Sequence, residues 1–286
     1  MSQSGKAKPV QLTALQMTSG PDPQKNMQQV AELLQNIPPQ RPQLVVLPEA
    51  FSCFGAGDKQ QLLSAERFGD GPLQNQLAAL AKQHGIWLVA GTIPVVDTDN
   101  AERFSAACLV FNSAGELAGR YDKIHLFDVE VADSTGTYHE SRYTKPGSKV
   151  VTINTEFGRL GLAVCYDVRF PELFRVLREQ GCDIMVLPSA FTKVTGAAHW
   201  HQLVRSRAIE QQCFMVAPGQ VGEHANGRET FGHSLIVDGW GRILAEQESG
   251  TGVLSAAADI SQLTDIRKRI PVATHNQFKV KYERST

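Results

Sequence analysis

GLAVCYDVRFPELFRVL (residues 161–177) sets a short apolar run directly against an amphipathic one, with a cysteine at the junction. Leu160, Leu162 and Val164 alternate with Gly161 and Ala163, a period of two that fits a buried strand. Helix signals follow at once. Pro171 suits a first helical turn, Glu172 suits its positive end, and Leu173, Phe174, Val176 and Leu177 form an apolar stripe. Cys165 thus stands just upstream of unpaired backbone N–H groups, which favour a thiolate and can hold a developing oxyanion. The same position suits an inert core cysteine at a strand end, and this segment alone leaves both readings open.

Working outward, the chain repeats one plan. LVVLPEA (44–50) and IMVLPSA (184–190) are apolar runs stopped by Leu-Pro, as for strands delivering their C-terminal ends to a loop. Helical patterns follow each, LQNQLAALAKQHG (73–85) and AHWHQLVRSRAIEQQ (198–212), and then further strands, WLVAGTI (87–93) and CFMVAPG (213–219). Two hairpins match in turn, LVFNSAGELAGR (109–120) and LIVDGWGRILAE (235–246), with turn residues at Asn112 to Gly115 and Asp238 to Gly241. Two mixed sheets result, each with one helix-covered face and one that must be covered by something else. Packing sheet on sheet predicts a four-layer αββα sandwich of α/β class with internal pseudo-twofold symmetry. We expect a single domain over 1–286, its core at about 10–258 and a C-terminal extension at 259–286.

Composition limits the function. The 286 residues are 42% hydrophobic with a formal net charge of −1, which removes any electrostatic case for nucleic acid or anionic membrane as a partner. Five widely spaced cysteines (53, 108, 165, 182, 213) without a CxxC pair argue for a reducing compartment and against a zinc ribbon or disulfide framework. No run approaches transmembrane length, so the expectation is a cytoplasmic protein. His199 and His201 point to different sides of a helix, so no metal site is expected there. His125 and His233 read as structural histidines.

In open α/β sheets the reacting groups gather outside the carboxyl ends of strands, where Glu49, Cys165, Ser189 to Thr192 and the loop after Ala217 fall. Glu49 closes an apolar run, so its carboxylate is placed for partial desolvation and general-base work. Lys123, in GRYDKIHLFDV (119–129), is followed by Ile124, Leu126, Phe127 and Val129 and can offer fixed positive charge to an oxyanion. Glu140, in TYHESRYTKPG (137–147), could hold that ammonium in place. Taken singly, each of the three better suits a solvated or surface role.

Together the Glu49, Lys123 and Cys165 segments, in that order, resemble the nitrilase (carbon–nitrogen hydrolase) superfamily over about residues 10 to 280. The resemblance implies an αββα sandwich, a Glu49–Lys123–Cys165 catalytic triad supported by Glu140, no cofactor, and a homodimer. CYDVRFPE (165–172) departs from true nitrilases, in which Trp-Glu follows the nucleophile. It is similar instead, with DKIHLFDVEV (122–131) and LPSAFTKVTGAAHW (187–200), to the deaminated glutathione amidase branch and next to the omega-amidases, Pro171 favouring the former.

That likeness implies amide hydrolysis through a cysteine thioester, with Lys123 and the Tyr166 backbone N–H at the oxyanion and a 2-oxo acid head on the substrate. Arg169, four residues after Cys165, is the expected cation for the head. Its alternative is a structural ion pair with Asp167 or Glu172. Phe191 and Thr195 match acyl-pocket positions, and the loops 53–58 and 221–229 are candidate walls for the leaving group. The expected reaction turns deaminated glutathione into 2-oxoglutarate and cysteinylglycine. Rival substrates are 2-oxoglutaramate or another aliphatic or carbamoyl amide, and the non-enzymatic rival is a 2-oxo acid binding module.

Overall fold

Alternation along the strands assigns the two faces of each sheet. On Val10–Gln16, Leu12 and Ala14 join one apolar cluster while Leu15 joins another, and on Gln43–Val46 the same division separates Leu44 and Val46 from Val45. The second cluster is filled by Val30 and Leu34 of the helix Pro23–Leu34 and by Leu73, Leu77 and Ala81 of the helix Pro72–His84. The first cluster reaches Leu160, Leu162, Ile184, Val186, Phe214 and Val216 of a second sheet. Leu173, Phe174 and Leu177 of Pro171–Glu179 and Trp200, Val204 and Ala208 of Lys193–Gln211 belong to that same cluster. The layers are therefore helix, sheet, sheet and helix, the αββα sandwich expected from the sequence. This computed structural model describes residues 9–56, 58–98 and 101–281.

The repeat is visible in strand order. One sheet runs Gly252–Ala258, Val10–Gln16, Gln43–Val46, Trp87–Val89, Ser105–Phe111, Leu117–Asp122; the other runs Thr152–Thr155, Gly158–Leu162, Ile184–Val186, Phe214–Ala217, Ser234–Val237, Ile243–Gln247. In both, an antiparallel edge strand is followed by three parallel strands and an antiparallel hairpin. The edge strands are exchanged. Thr152–Thr155, which follows the first hairpin, completes the second sheet, and Gly252–Ala258, which follows the second hairpin, completes the first. Neither sheet is whole without chain from the other half.

The segment expected as one strand over 87–93 is broken. Trp87–Val89 and Ile93–Val96 both pair with Ser105–Phe111, separated by a kink at Gly91, whose φ is +41°. A Cβ on Gly91 would lie 1.9 Å from the Pro48 carbonyl oxygen, so only glycine lets this backbone approach the segment that carries Glu49. The kink also brings the Thr92 hydroxyl to accept from the Ala50 N–H at 2.8 Å.

Two small hairpins lie outside the main sheets, Asp128–Glu130 with Thr137–His139 and Val221–Glu223 with Glu229–Phe231. They meet where the Ser134 hydroxyl donates to the Gly227 carbonyl. The second is anchored by buried His224, whose Nδ1 bonds the Ser19 carbonyl at 2.9 Å and whose Nε2 faces the Thr230 hydroxyl at 2.8 Å. Beyond the sandwich, the helix Gln262–Arg269 returns to the second sheet, with Arg267 paired to Asp183 at 2.8 Å. All five cysteines are free. Among the described residues no helix is long and apolar enough to cross a membrane.

Gly91→Ala should lower the unfolding free energy by more than about 2 kcal/mol, since both the φ and the contact forbid a side chain; an unchanged urea midpoint would contradict the close approach. His224 gives a pH signature. Burial pulls its pKa down, Ser19 opposes, Arg228 adds to the lowering, and the value falls from 6.5 to about 4. In the window from 6.5 down to about 4 the unfolded chain binds a proton that the folded ring refuses, so stability falls as pH falls, by up to ~3 kcal/mol. His224→Asn should flatten that part of the stability profile relative to the wild type, and identical slopes for the two proteins would refute the assignment.

Candidate active site

The residues expected to act together come from separate strand ends. Glu49 lies just past Gln43–Val46, Lys123 directly follows Leu117–Asp122, and Cys165 lies just past Gly158–Leu162. Glu140 opens the short 3-10 turn Glu140–Arg142 after the outer hairpin strand Thr137–His139. All four line one cavity of about 210 Å³, several times the share of a single water.

Lys123 is the hub. Its side chain is 2% exposed, and Nζ donates to Glu49 Oε1 at 2.7 Å and to Glu140 Oε1 and Oε2 at 3.0 and 2.8 Å. Burial opposes its charge, but Glu140 and Glu49 outweigh that and hold the Lys123 pKa well above the ordinary lysine value. Each carboxylate has a second anchor. The Ala190 N–H donates to Glu49 Oε2 at 2.8 Å, and the Phe127 N–H donates to Glu140 Oε2 at 2.6 Å. Burial raises the Glu140 pKa, Lys123 counteracts it, and the neighbouring Glu49 charge adds to the rise.

Cys165 and Glu49 line the same cavity, and the sulfur feels the Glu49 carboxylate. Burial first, and the Glu49 charge second, push the Cys165 pKa well above the ordinary thiol value, while Lys123 acts in the opposite direction. The resting sulfur is therefore a thiol. The sequence placed it at the start of the long helix, but a 3-10 turn, Cys165–Arg169, intervenes before Pro171–Glu179. Cys165 has φ +46°, a left-handed conformation that a residue with a Cβ adopts at a cost, and its N–H is taken by the Pro188 carbonyl at 2.9 Å. Tyr166 contributes the neighbouring N–H, for which no acceptor is found among the described residues.

Asp167 fixes that turn. Wholly buried, it accepts from the Tyr121 hydroxyl at 2.7 Å, the Val164 N–H at 2.8 Å and the His125 N–H at 3.1 Å, and its Oδ1 lies 2.7 Å from His125 Nδ1. Tyr121 and His125 bracket Lys123, so one carboxylate ties the cysteine turn to the lysine strand. The sequence considered Asp167 only as a partner for Arg169. Two of its partners, Tyr121 and His125, lie more than 40 positions away and carry no local signal.

The remaining expected residues divide. Tyr166, Phe191 and Thr195 line the cavity. Phe191 leans on Trp200 at 4.9 Å between centroids, and Thr195 shares a 2.8 Å hydroxyl contact with Thr192, the cap of Lys193–Gln211. Arg169 does not line the cavity. Its guanidinium lies 5.2 Å from the Phe191 ring centroid with Nη1 3.3 Å from His199 Nδ1, and it forms an ion pair with neither Asp167 nor Glu172. Both loops expected as walls contribute, through Phe54 and through Asn226 and Arg228, and the Asp128–His139 hairpin adds Thr135, Thr137 and Tyr138. Arg228 lies within one of those two loops, whereas the hairpin is a wall that the sequence gives no sign of.

His201, His233 and Glu246 bring three ligand-type atoms within 4.8 Å of one another outside the cavity. Glu246 Oε1 lies 2.8 Å from His201 Nε2 and 2.7 Å from His233 Nδ1, a hydrogen-bonded cluster that ties Lys193–Gln211 to Ile243–Gln247.

Comparison with known proteins matches residues 11–268 to the carbon-nitrogen hydrolase family. The chain is 41% identical over 264 residues to a deaminated glutathione amidase of Yersinia enterocolitica, spanning 92% of each protein. It is 39% identical over 265 residues to a deaminated glutathione amidase of Mus musculus, spanning 92% of this chain and 81% of that one. The crystal structure of Saccharomyces cerevisiae Nit3, a member of branch 10 of the nitrilase superfamily, superposes with a TM-score of 0.85 at 31% identity, over 97% of this chain and 100% of that one. With the sandwich shared and a family match that runs from the first strand to the helix Gln262–Arg269, this chain belongs to the carbon–nitrogen hydrolase family.

Proposed function

We propose that this carbon–nitrogen hydrolase cleaves linear amides of a 2-oxo acid through a thioester on Cys165, and that deaminated glutathione is its substrate. The observation that carries the chemistry is the convergence of Glu49, Lys123 and Cys165 on one cavity, with Lys123 Nζ 2.7 Å from Glu49 Oε1. Because the buried sulfur rests as a thiol, attack needs a base at hand. Glu49 takes the proton as Cys165 Sγ bonds to the amide carbon. The oxyanion is received by the Tyr166 N–H and by Lys123, which exchanges one arm of its two-oxygen contact with Glu140 for the new acceptor. Glu49 then gives its proton to the departing nitrogen, the C–N bond breaks, and a thioester remains. Water deprotonated by Glu49 adds to the thioester, and collapse returns the proton to the sulfur and releases the acid. Glu140 touches no reacting atom; it positions Lys123 and keeps it charged.

The substrate rests on two supports. Relatives at 39–41% identity over 92% of this chain carry the name deaminated glutathione amidase. The cavity also extends past the reacting centre to Phe54, Tyr138, Asn226 and Arg228, room that a leaving group as small as ammonia does not need. Cleavage then yields 2-oxoglutarate and cysteinylglycine. Arg169, behind Phe191, serves the acyl side by stacking on that ring and holding it against the pocket.

Side-by-side turnover tests the substrate: kcat/KM should be highest for deaminated glutathione, lower for 2-oxoglutaramate and lowest for a simple aliphatic amide. A preference for either of the last two overturns the choice, and binding without turnover favours a sensor. For the chemistry, brief incubation should add an acyl mass to the wild type and none to Cys165→Ala. Glu49→Gln should lower kcat by about 10³-fold or more. Glu140→Gln should lower kcat by about 10²-fold with little change in KM, as expected when a positioning charge rather than a substrate contact is lost.

A further inference from the structure

Arg228 is a cation without a counterion. Its guanidinium sits between the rings of Phe54 and Tyr138, 4.8 and 4.9 Å from their centroids, at the outer wall of the cavity. Nη2 donates to the Ala190 carbonyl at 3.0 Å, while the buried Nε has no partner. No carboxylate lies within ion-pair distance of Arg228 among the described residues, whereas buried Lys123 has two and buried Arg207 has one. The carboxylate whose charge it does feel, Asp133, already accepts from the Thr135 N–H, the Gly136 N–H and the Tyr138 hydroxyl. Ring faces on both sides stabilise a guanidinium and fix its plane. They leave its Nη1 and Nη2 edge for an acceptor, while Nε is shielded from solvent. A planar fork so presented matches a carboxylate, taken through two parallel bonds.

We propose that Arg228 is a carboxylate-binding subsite that anchors a substrate acid group and so selects among amides. This rests on the substrate class proposed above, which carries two acids: that of the 2-oxo head and that of the glycine on the leaving group. Arg228 holds the carbonyl of Ala190, and the N–H of the same residue holds Glu49 Oε2, so the subsite and the proton-transfer carboxylate are linked through one residue. Its support comes from three separate segments, Phe54, Tyr138 and the turn at 226–228, the last two of which the Ser134 to Gly227 hydrogen bond draws together.

Arg228→Gln and Arg228→Lys would be compared with the wild type on deaminated glutathione, on its glycinamide, which lacks the leaving-group acid, and on 2-oxoglutaramate, which keeps only the head. If Arg228 takes the leaving-group acid, the wild type should show a KM about tenfold or more higher for the glycinamide, and Arg228→Gln should erase that difference while sparing 2-oxoglutaramate. If it takes the head acid, Arg228→Gln should raise KM for all three by a similar factor with kcat little changed. Arg228→Lys, which keeps the charge but not the fork, should fall between in either case. Unaltered KM values for every substrate in both variants overturn the subsite. Failure of the substrate class is read separately, as absence of turnover by the wild type. Calorimetric titration with 2-oxoglutarate and with N-acetyl-cysteinylglycine still decides Arg228 in that event: weaker binding of one acid by Arg228→Gln supports it, and equal binding of both by wild type and variant, or no binding by either, overturns it.

Discussion

A buried ammonium shared by two carboxylates organises this molecule. Removing a lysine head from water costs several kcal/mol unless charge and hydrogen bonds replace the solvent. Here Glu49 and Glu140 supply both, so the chain around residues 49, 123 and 140 must meet wherever Lys123 is buried. Burial and the Glu49 charge together push the Cys165 pKa up, and Lys123 offsets only part of that rise. The site therefore differs from cysteine centres that store a thiolate beside a cation or a helix N-terminus. On the proposed mechanism it stores instead a base, Glu49, fixed on one oxygen by Lys123 and on the other by the Ala190 N–H.

Placement of the sulfur follows from a second buried carboxylate. Asp167 gathers donors from Tyr121, His125 and Val164, on both sides of the interface between the lysine strand and the cysteine turn. A left-handed residue with a Cβ costs on the order of 1–2 kcal/mol, and persists only where its surroundings over-determine it. Around Cys165 that determination is explicit: its own N–H is held by Pro188 and the turn after it by Asp167. The exchanged edge strands act at longer range, since each sheet that presents a catalytic strand end is completed by chain from the other half.

What could be read from the sequence was whatever repeats or alternates. The strand ending near Val164, the helix from Pro171 and the paired hairpins all have local periodicity, and all are present. Arg169 shows where local reasoning stops. Four residues along an α-helix turn through about 400°, which would leave Arg169 near the face of Cys165; four residues along a 3-10 turn go through about 480°, roughly a third of a turn past it. The intervening turn Cys165–Arg169 is 3-10, and Arg169 accordingly stands behind Phe191. The break at Gly91 was equally hidden, because its cause is the Pro48 carbonyl, a neighbour in space and not in sequence. Asp167 and Arg228 share that property: both owe their roles to partners brought in by the fold.

The site's parts consequently differ in how they are held. Glu49, Lys123 and Cys165 stand at strand ends in the packed sandwich, where a change in one strand shifts its neighbours through the ladder. Phe54, Tyr138 and Arg228 stand on a loop and two small hairpins joined to each other by few hydrogen bonds. Chemistry that needs a sulfur, a proton acceptor and an oxyanion donor within contact distance tolerates little displacement, and it sits on the rigid part. Recognition of what is attached to the amide tolerates more, and it sits where residues can be exchanged without disturbing either sheet. On the proposed mechanism one catalytic centre can thus serve different amides by altering the hairpins alone, which leaves the choice of leaving group to the shape and charge of this outer wall and not to the three residues at the strand ends.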